Sequence, residues 1–307
     1  MTYSLRGALL EDFVAHYASC PELESFVVVW NGSDLDSYVS VERIRAASPH
    51  VPVRFRVEKT PSMNNRYKQD PLIQTEALLI LDDDIRVDCA SIKRALLAFH
   101  RSRRRDIVGW FPRFSSRQSD NEFSYTGEPG TIARGEYNLV LSGAAFVNHD
   151  YFKLYWSPPV TPLRALVRPS DSLDPSLDSF TCSPSHSPSR SLTLSLTHPL
   201  AHSLTRSTIV RQVDELWNCD DLLFNFVVAG AGGGTLYLRP KTLYDVSHET
   251  GVGISHDEAA FIRKAERCLA EFHAHFPETA LKSTRFDFSD DPPPDCDEGR
   301  SLLFCRY

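Results

Sequence analysis

Short apolar runs alternate along this chain with longer segments in which apolar residues recur at helical spacing. In the first such segment, Leu10, Phe13 and Tyr17 would share one face of a helix. Strands and helices that alternate in this way are typical of α/β proteins. Strands are predicted at 26–30, 51–57, 77–81, 107–110, 137–141 and 236–238, and helices at 9–17, 90–100, 220–228 and 258–276. We therefore expect one α/β domain over residues 1–288.

Two segments break this pattern. Residues 157–208 are dominated by Ser, Pro, Leu, Thr, Arg and His without a sustained period, so they cannot bury enough apolar surface to offset the entropy of ordering. We predict a disordered insert there and interpret it as translated non-coding sequence, because loops of that length are unusual inside a compact domain. A transcript that encodes the insert in full would contradict this interpretation. Residues 289–307, acidic and rich in proline, are predicted to form a mobile tail.

Composition excludes several classes of protein. The net charge of -7 and the lack of a long basic block argue against nucleic acid as the main partner. The short basic cluster 100–105 fits the C-terminal end of a predicted helix. No apolar run reaches the roughly 18 residues of a membrane span, and the first residues lack the pattern of a signal peptide. The 7 cysteines show no C-x-x-C spacing, so a zinc site is not predicted.

Three consecutive aspartates, Asp82, Asp83 and Asp84, follow the apolar strand 77–81. Carboxylates packed together at a strand end repel one another and lose hydration unless a cation compensates them, and divalent ions with oxygen ligands do this well. The carboxyl ends of strands are also where α/β sheets bind their ligands. Taken alone, the triplet is interpreted equally well as an Asp-rich turn that ends the strand.

Five blocks of residues favour the metal site. They are Thr2-Tyr3 with Arg6, Val27 to Asn31, Asn64-Asn65-Arg66 ahead of Ala77 to Asp84, Leu141 to Phe146, and Asn218 to Asp221 with Asn225-Phe226. In this order and spacing, the chain resembles the C-terminal glycosyltransferase domain of the exostosin and exostosin-like proteins, retaining metal-dependent enzymes with an Asp-x-Asp motif. The resemblance implies a GT-A, Rossmann-like fold in which helices flank a mixed, mostly parallel sheet. Because it begins almost at Met1, it also implies that the family's first strand is missing or replaced.

The resemblance assigns roles to residues whose chemistry suits them. Asp84 would bind Mn²⁺ or Mg²⁺, which take oxygen ligands, and Asp221 would stabilise an oxocarbenium ion or position the acceptor. Without the resemblance, Asp221 would be interpreted as an acid that stabilises a helix N-terminus. Further roles are implied as follows: donor contacts for Arg6, Asn31, Asn65, Arg66, Asp82 and Asp83; a wall against donor or acceptor sugar for Ser142, Gly143, Ala144 and Asp220; a disulfide for Cys219 and Cys268; and a phosphate contact for Arg263 or Arg267.

We therefore expect a retaining transferase that moves a sugar, predicted to be a hexosamine such as GlcNAc or GalNAc, from a UDP- or GDP-sugar to a glycan or glycolipid. The alternative is a non-catalytic relative that binds nucleotide sugar or a partner transferase. A metal-dependent phosphohydrolase is disfavoured, because no second cluster of carboxylates and histidines offers a two-metal site. A disulfide implies an oxidising lumen, that of the Golgi or endoplasmic reticulum, with a membrane anchor outside this chain. Homo- and hetero-oligomers with related transferases are left open.

Overall fold

The computed structural model describes residues 1–2, 6–120, 122–157, 199–246, 257–276 and 281–289. Residues 158–198 of the predicted insert, and the predicted tail after Ser289, lie outside the described residues. The helices are α1 (Gly7–Tyr17), α2 (Leu35–Tyr38), α3 (Val41–Ala46), α4 (Cys89–Arg101), α5 (Glu128–Arg134), α6 (Tyr151–Trp156), α7 (Pro199–Leu216), α8 (Asp220–Gly230) and α9 (Glu258–His275), with a 3-10 helix at Met63–Tyr67.

The strands are β1 (Phe26–Asn31), β2 (Val53–Glu58), β3 (Ala77–Leu81), β4 (Ile85–Val87), β5 (Ile107–Gly109), β6 (Pro112–Arg117), β7 (Phe123–Thr126), β8 (Glu136–Tyr137), β9 (Leu139–Val140), β10 (Ala144–Asn148), β11 (Thr235–Tyr237), β12 (Leu243–Asp245) and β13 (Thr284–Arg285). Each helix and strand predicted from apolar spacing is present, with the predicted strand 137–141 divided into β8 and β9. The expectation of an α/β chain is confirmed. Helix α7 begins at Pro199, so the end of the segment predicted as a disordered insert is helical.

The strands form several small sheets. Strands β1 and β2 pair in parallel, and on the other edge of β1 Thr2 bridges Trp30, also in parallel. The largest sheet has the order β11-β5-β10-β3; β11 is parallel to β5, whereas β10 runs antiparallel to both of its neighbours. The prediction of a mostly parallel sheet therefore holds only for the β1–β2 and β5–β11 pairs. The reason is that β10, which follows the turn at Ser142-Gly143, enters the sheet between β3 and β5 and runs antiparallel to both, a strand direction that apolar spacing does not reveal.

Alternate residues of β10 face two different apolar clusters. Ala145 and Val147 join the cluster built from α6 to α9, while Ala144 and Phe146 join the one built from α1, α3 and α4. This alternation is what a strand covered on both faces requires. Helices on both sides therefore hold β10, and with it the turn that precedes Ala144, in a fixed position beside the end of β3.

Two disulfides link helices that are distant in the sequence. Cys219, just before α8, is bonded to Cys268 in α9, as the family resemblance implied. A second bond, which the sequence did not suggest, joins Cys20 after α1 to Cys89 at the start of α4. Within the part of the chain that the structure describes, no helix combines the length and apolar character needed to cross a membrane.

Candidate functional site

The aspartate triplet lies where three segments converge. It occupies the turn between β3 and β4, next to the Ser142-Gly143 turn that enters β10: the backbone N–H of Asp82 donates to the carbonyl of Gly143 at 2.7 Å. The first residues of α8 are the third segment, and Arg66 links their Asp220 to Asp82. Buried strands ending at a common edge thus place polar side chains together, as in other α/β ligand sites.

Arg66 joins the triplet to the start of α8. Its guanidinium lies 2.9 Å from Asp82 Oδ1 and 3.1 Å from Asp220 Oδ2, and its side chain is 7% exposed. Burial alone would lower the pKa of Arg66, but the two carboxylates outweigh it and raise that pKa. Burial also raises the pKa of Asp220, to about 7. The structure therefore brings together Arg66, Asp82 and Asp220, three residues predicted to line one site.

Arg6 forms ion pairs with the remaining two aspartates. Its Nη1 atom lies 2.6 Å from Asp83 Oδ1 and 2.5 Å from Asp84 Oδ2, with all three residues buried. Despite this partner, burial and then the neighbouring Asp82 and Asp83 carboxylates raise the pKa of Asp84 to about 6. Excess negative charge is thus concentrated at the end of β3. A donor contact by Arg6 stays a prediction.

Asp221 sits in the first turn of α8 and faces the β10 turn. It accepts a hydrogen bond from the hydroxyl of Ser142, which in turn lies 2.6 Å from the hydroxyl of the fully buried Tyr67. Burial raises the pKa of Asp221, against the opposing effect of Arg66. Asp221 therefore belongs to the same cluster as Asp220 and Arg66, and it is a carboxylate held by a short polar chain rather than a free surface acid.

The entry to α8 has an unusual backbone. Trp217 and Cys219 both adopt left-handed conformations, with φ of 49° and 76°, which non-glycine residues rarely take up. The disulfide to Cys268 and a 2.6 Å hydrogen bond from the Cys219 N–H to the Asn218 side chain hold this turn. Backbone strain of this kind persists where the surroundings impose it. Here it sets the direction in which α8 starts, and so the positions of Asp220 and Asp221.

Gly143 makes room for the side chain of Asp82, and the predicted approach of a sugar to the backbone there stays a prediction. A Cβ atom at position 143 would collide with Asp82 Oδ2 and would lie 3.6 Å from Arg66 Nη1. Ser142 and Ala144 on either side are fully buried. The absence of a side chain at Gly143 therefore allows the Asp82–Arg66 ion pair to form.

Gly143→Ala is expected to break that ion pair by rotating the Asp82 carboxylate away, and to cost about 1–3 kcal/mol of unfolding free energy, the usual cost of overpacking. Urea denaturation measures the loss. Gly127→Ala is the matched control, because a Cβ at Gly127 meets nothing closer than 3.9 Å. Equal stability of the two variants would show that the space beside Gly143 is not needed.

The two asparagines predicted to contact the donor lie inside a network under Arg66. Asn65 Nδ2 donates to Asn31 Oδ1 at 2.7 Å and to the Thr60 carbonyl at 2.9 Å. Asn31 Nδ2 donates to the Ser62 carbonyl, and Asn31 Oδ1 accepts from the Ser62 N–H. Both amides therefore fix the loop between β2 and β3. Their contact with a nucleotide stays a prediction.

Arg263 and Arg267, the alternatives for a phosphate contact, both lie on the exposed side of α9. Among the described residues, no ion pair joins either of them to the cluster around Arg66. The ten residues 247–256, which precede α9, lie outside the described residues. The structure thus does not bring these arginines into the site, and their role stays a prediction.

Sequence reasoning missed a charged pair between β6 and α5. Arg113 in β6 donates to Glu128 in α5 at 3.2 Å. Burial raises the pKa of Tyr125 in β7, with Arg113 opposing this rise and Asp221 adding to it. These residues follow no strand end and form no motif. Tyr67, which contacts Ser142, directly follows Arg66 in the sequence, and this position next to a motif residue could have pointed to it.

The donor set fits a divalent ion that shares its coordination with a substrate. Asp83 Oδ2 is buried without a hydrogen-bond partner, and burial together with the neighbouring carboxylates raises the pKa of Asp84, so the negative charge at the end of β3 is not fully compensated. Within the described ranges, no group of three ligating side chains surrounds one point. Mg²⁺-like ions are commonly held by one or two carboxylates together with substrate phosphates. The residues present match that pattern rather than a closed protein cage.

Comparison with known proteins assigns this chain to the glycosyltransferases. Residues 1–173 and 198–292 match the model of the glycosyl transferase family 64 domain, and the chain belongs to that family. The match omits 174–197, which lie within the predicted insert. The resemblance to exostosin-like glycosyltransferases inferred from the five blocks is confirmed.

Several characterised relatives align over most of the chain. Glucosamine inositolphosphorylceramide transferase 1 of Arabidopsis thaliana is 31% identical over 89% of this chain, which spans 29% of that protein. Glycosylinositol phosphorylceramide mannosyl transferase 1 of the same plant is 31% identical over 91% of the chain and 72% of its own length. Human exostosin-like 2 is 26% identical over 83% of the chain and 64% of its own length.

Proposed function

We propose that this chain is a retaining, metal-dependent glycosyltransferase of the GT-A fold that moves a sugar from a nucleotide-sugar donor to a glycan or glycolipid. The observation that carries the proposal is the buried Arg66 bridge, which pairs with Asp82 at the end of β3 and with Asp220 at the start of α8, next to Asp221. Two relatives that are named as inositolphosphorylceramide transferases support a glycolipid as the acceptor class. The predicted hexosamine donor agrees with the glucosamine in one of these names.

Asp84 is the proposed ligand of Mn²⁺ or Mg²⁺, with Asp83 beside it. A bound divalent ion would neutralise the leaving diphosphate as a Lewis acid. Arg6 now pairs with both carboxylates, so its guanidinium would move away when the ion binds. The released guanidinium could then donate to oxygens of the donor, a role that suits arginine. Asp82 and Arg66 would contact the donor sugar or ribose as an ion pair.

Asp221 is the proposed catalytic carboxylate. Ser142 and Tyr67 fix its orientation, and a negative charge fixed beside the reacting carbon stabilises positive charge that develops there. Two disulfides support folding in an oxidising lumen, which we propose is that of the Golgi or endoplasmic reticulum.

Asp84→Ala is expected to abolish Mn²⁺-dependent UDP binding, whereas Asp82→Ala only weakens it, because only Asp84 is the proposed metal ligand. Isothermal titration of UDP, with and without Mn²⁺, measures both effects. Asp120→Asn, at a fully exposed carboxylate, is the matched control. Equal losses from the two alanine variants would show that the roles within the triplet are not divided.

Hydrolysis of donor by the wild-type protein tests the proposed activity directly. A screen of UDP- and GDP-sugars with Mn²⁺ should reveal one sugar that is released faster than all others, and that sugar should be a hexosamine. UDP binding that depends on Mn²⁺ without release of any sugar would instead favour the non-catalytic relative. Loss of metal-dependent UDP binding altogether would contradict the proposal.

A further inference from the structure

One carboxylate on α7 accepts hydrogen bonds from the start of the 3-10 helix that carries Arg66. Asp214 Oδ1 accepts hydrogen bonds from the Ser62 hydroxyl at 2.6 Å, from the Met63 backbone N–H at 3.1 Å and from Asn64 Nδ2 at 2.8 Å. Three donors on a single ionised oxygen form charge-assisted bonds, which are stronger than neutral ones. Residues that are about 150 positions apart along the chain are thus joined at one atom.

Asn64 extends this attachment into the core. It is fully buried, its amide also donates to the Val210 carbonyl on α7 at 3.0 Å, and its oxygen accepts from the Tyr155 hydroxyl at 2.5 Å. A buried amide whose groups are all bonded tolerates little displacement, since each lost bond leaves an unsatisfied polar group. The start of the 3-10 helix is therefore held from α6 and α7 together.

The two residues that follow Asn64 belong to the proposed donor site. Arg66 lies between Asp82 and Asp220 at distances of 2.9 and 3.1 Å, so a shift of about 1 Å would break one or both ion pairs. Asn65 also bonds Asn31 at the end of β1. Any movement of the Asp214 attachment is transmitted to Arg66 through two residues of a tightly wound turn.

We propose that Asp214 is a positioning residue for the donor site: it fixes the 3-10 helix so that Arg66 can span Asp82 and Asp220. The role rests on the proposed glycosyl transfer, but its structural part concerns Arg66 alone. Asp214 itself touches neither carboxylate of the site in the described contacts. It acts only through the turn.

The variants that test this role differ in one property each. Asp214→Ala removes the acceptor, whereas Asp214→Asn keeps a carbonyl oxygen at the same place and loses the charge. Because all three bonds go to Oδ1, the asparagine should retain most of the attachment. Glu215→Ala is the control, since that side chain is the next one on α7, is 61% exposed and pairs only with the surface residue Arg211 in the described contacts.

The first readout follows Arg66 directly and requires no ligand. In ¹⁵N NMR spectra the Nε–H signal of Arg66, assigned by its loss in Arg66→Lys, should shift or broaden strongly in Asp214→Ala, change only partly in Asp214→Asn and stay in place in Glu215→Ala. An unchanged Arg66 signal in a folded Asp214→Ala protein would overturn the proposal. If Asp214→Ala fails to fold, the partial change expected in Asp214→Asn, larger than in Glu215→Ala, decides the question.

The second readout is the affinity for UDP in the presence of Mn²⁺. Asp214→Ala should weaken this affinity about tenfold, or by about 1.4 kcal/mol, at a temperature where the variant is fully folded. Asp214→Asn should weaken it by about threefold or less. Wild-type protein that binds no UDP would contradict the proposed function, while the Arg66 signal would still test the positioning role. Wild-type affinity in a folded Asp214→Ala protein would overturn the positioning role and leave the proposed function intact.

Discussion

Replacing Arg66 by methionine is expected to lower the unfolding free energy by about 3–5 kcal/mol, the usual cost of leaving a buried ion pair without one partner. Asp82 and Asp220 would face each other without the cation that now lies 2.9 and 3.1 Å from them. Part of the loss should be relieved by proton uptake at Asp220, whose pKa is already about 7. Urea denaturation at pH 7 and at pH 5.5 measures both effects, and the loss should be smaller at the lower pH.

Two further variants separate the ion pair from general damage to the core. Arg43→Met removes an arginine that is 74% exposed and pairs with Glu11, and it should change stability by less than about 1 kcal/mol. Asp220→Asn combined with Arg66→Met should recover part of the lost stability, because one of the unpaired charges is gone. A loss below about 1 kcal/mol in Arg66→Met would show that the bridge does not hold the site together.

Asp221→Asn is expected to reduce the rate of sugar transfer or donor hydrolysis by about 10²–10³-fold, the effect of removing one fixed electrostatic group from an active site. Metal-dependent UDP affinity should remain within about threefold, because Asp221 is assigned to the reacting carbon rather than to the nucleotide. The Ser142 hydroxyl can still donate to the amide oxygen, so the local geometry should survive. Steady-state kinetics and titration of UDP together give the two numbers.

The competing role for Asp221, an acid that stabilises the N-terminus of α8, predicts a different result. Asp221→Asn would then lower stability by up to about 1 kcal/mol and leave the turnover of folded protein unchanged. Asp120→Asn, at an exposed carboxylate outside the cluster, controls for the change in net charge. A variant that is less stable but fully active would assign Asp221 to the helix and not to the reaction.

Apolar spacing predicted the long elements because each buries a continuous face. β3 matches its prediction at both ends, and α4 extends it by one residue at each end. The short elements β4, β6, β7 and α5 were missed, since each is too short to show an apolar period; β4 pairs with the distant β12, and β6 and β7 form a hairpin. Helix α7 was missed because its first turns lie in Ser- and Leu-rich sequence without helical periodicity, and packing of Ile209 and Val213 against other helices stabilises it.

The strand end pointed to the aspartate triplet, and the family resemblance pointed to Arg66, Asp220 and Asp221 as its neighbours. Asp82 follows β3 and Asp220 begins α8, and the structure joins them through Arg66 as one cluster. The pairing of Arg6 with Asp83 and Asp84 could not be foreseen, since it depends on the angle at which α1 begins relative to β3. The same holds for Cys20–Cys89, whose partners lie 69 residues apart with no shared motif.

The long separation between Asp214 and the turn it holds has a consequence for how the molecule folds as it is made. The segment that carries Asn64 and Arg66 leaves the ribosome well before the one that carries Asp214 and Asp220, at a usual rate of some 5–20 residues per second. Contacts between residues so far apart in sequence also form late, because closing a long loop is entropically costly. The β1–β2 pair and the β3 end can therefore assemble first, with their aspartates and arginines lacking distant partners. We expect slow-translating or destabilised forms to accumulate as structured intermediates whose acidic cluster is incomplete.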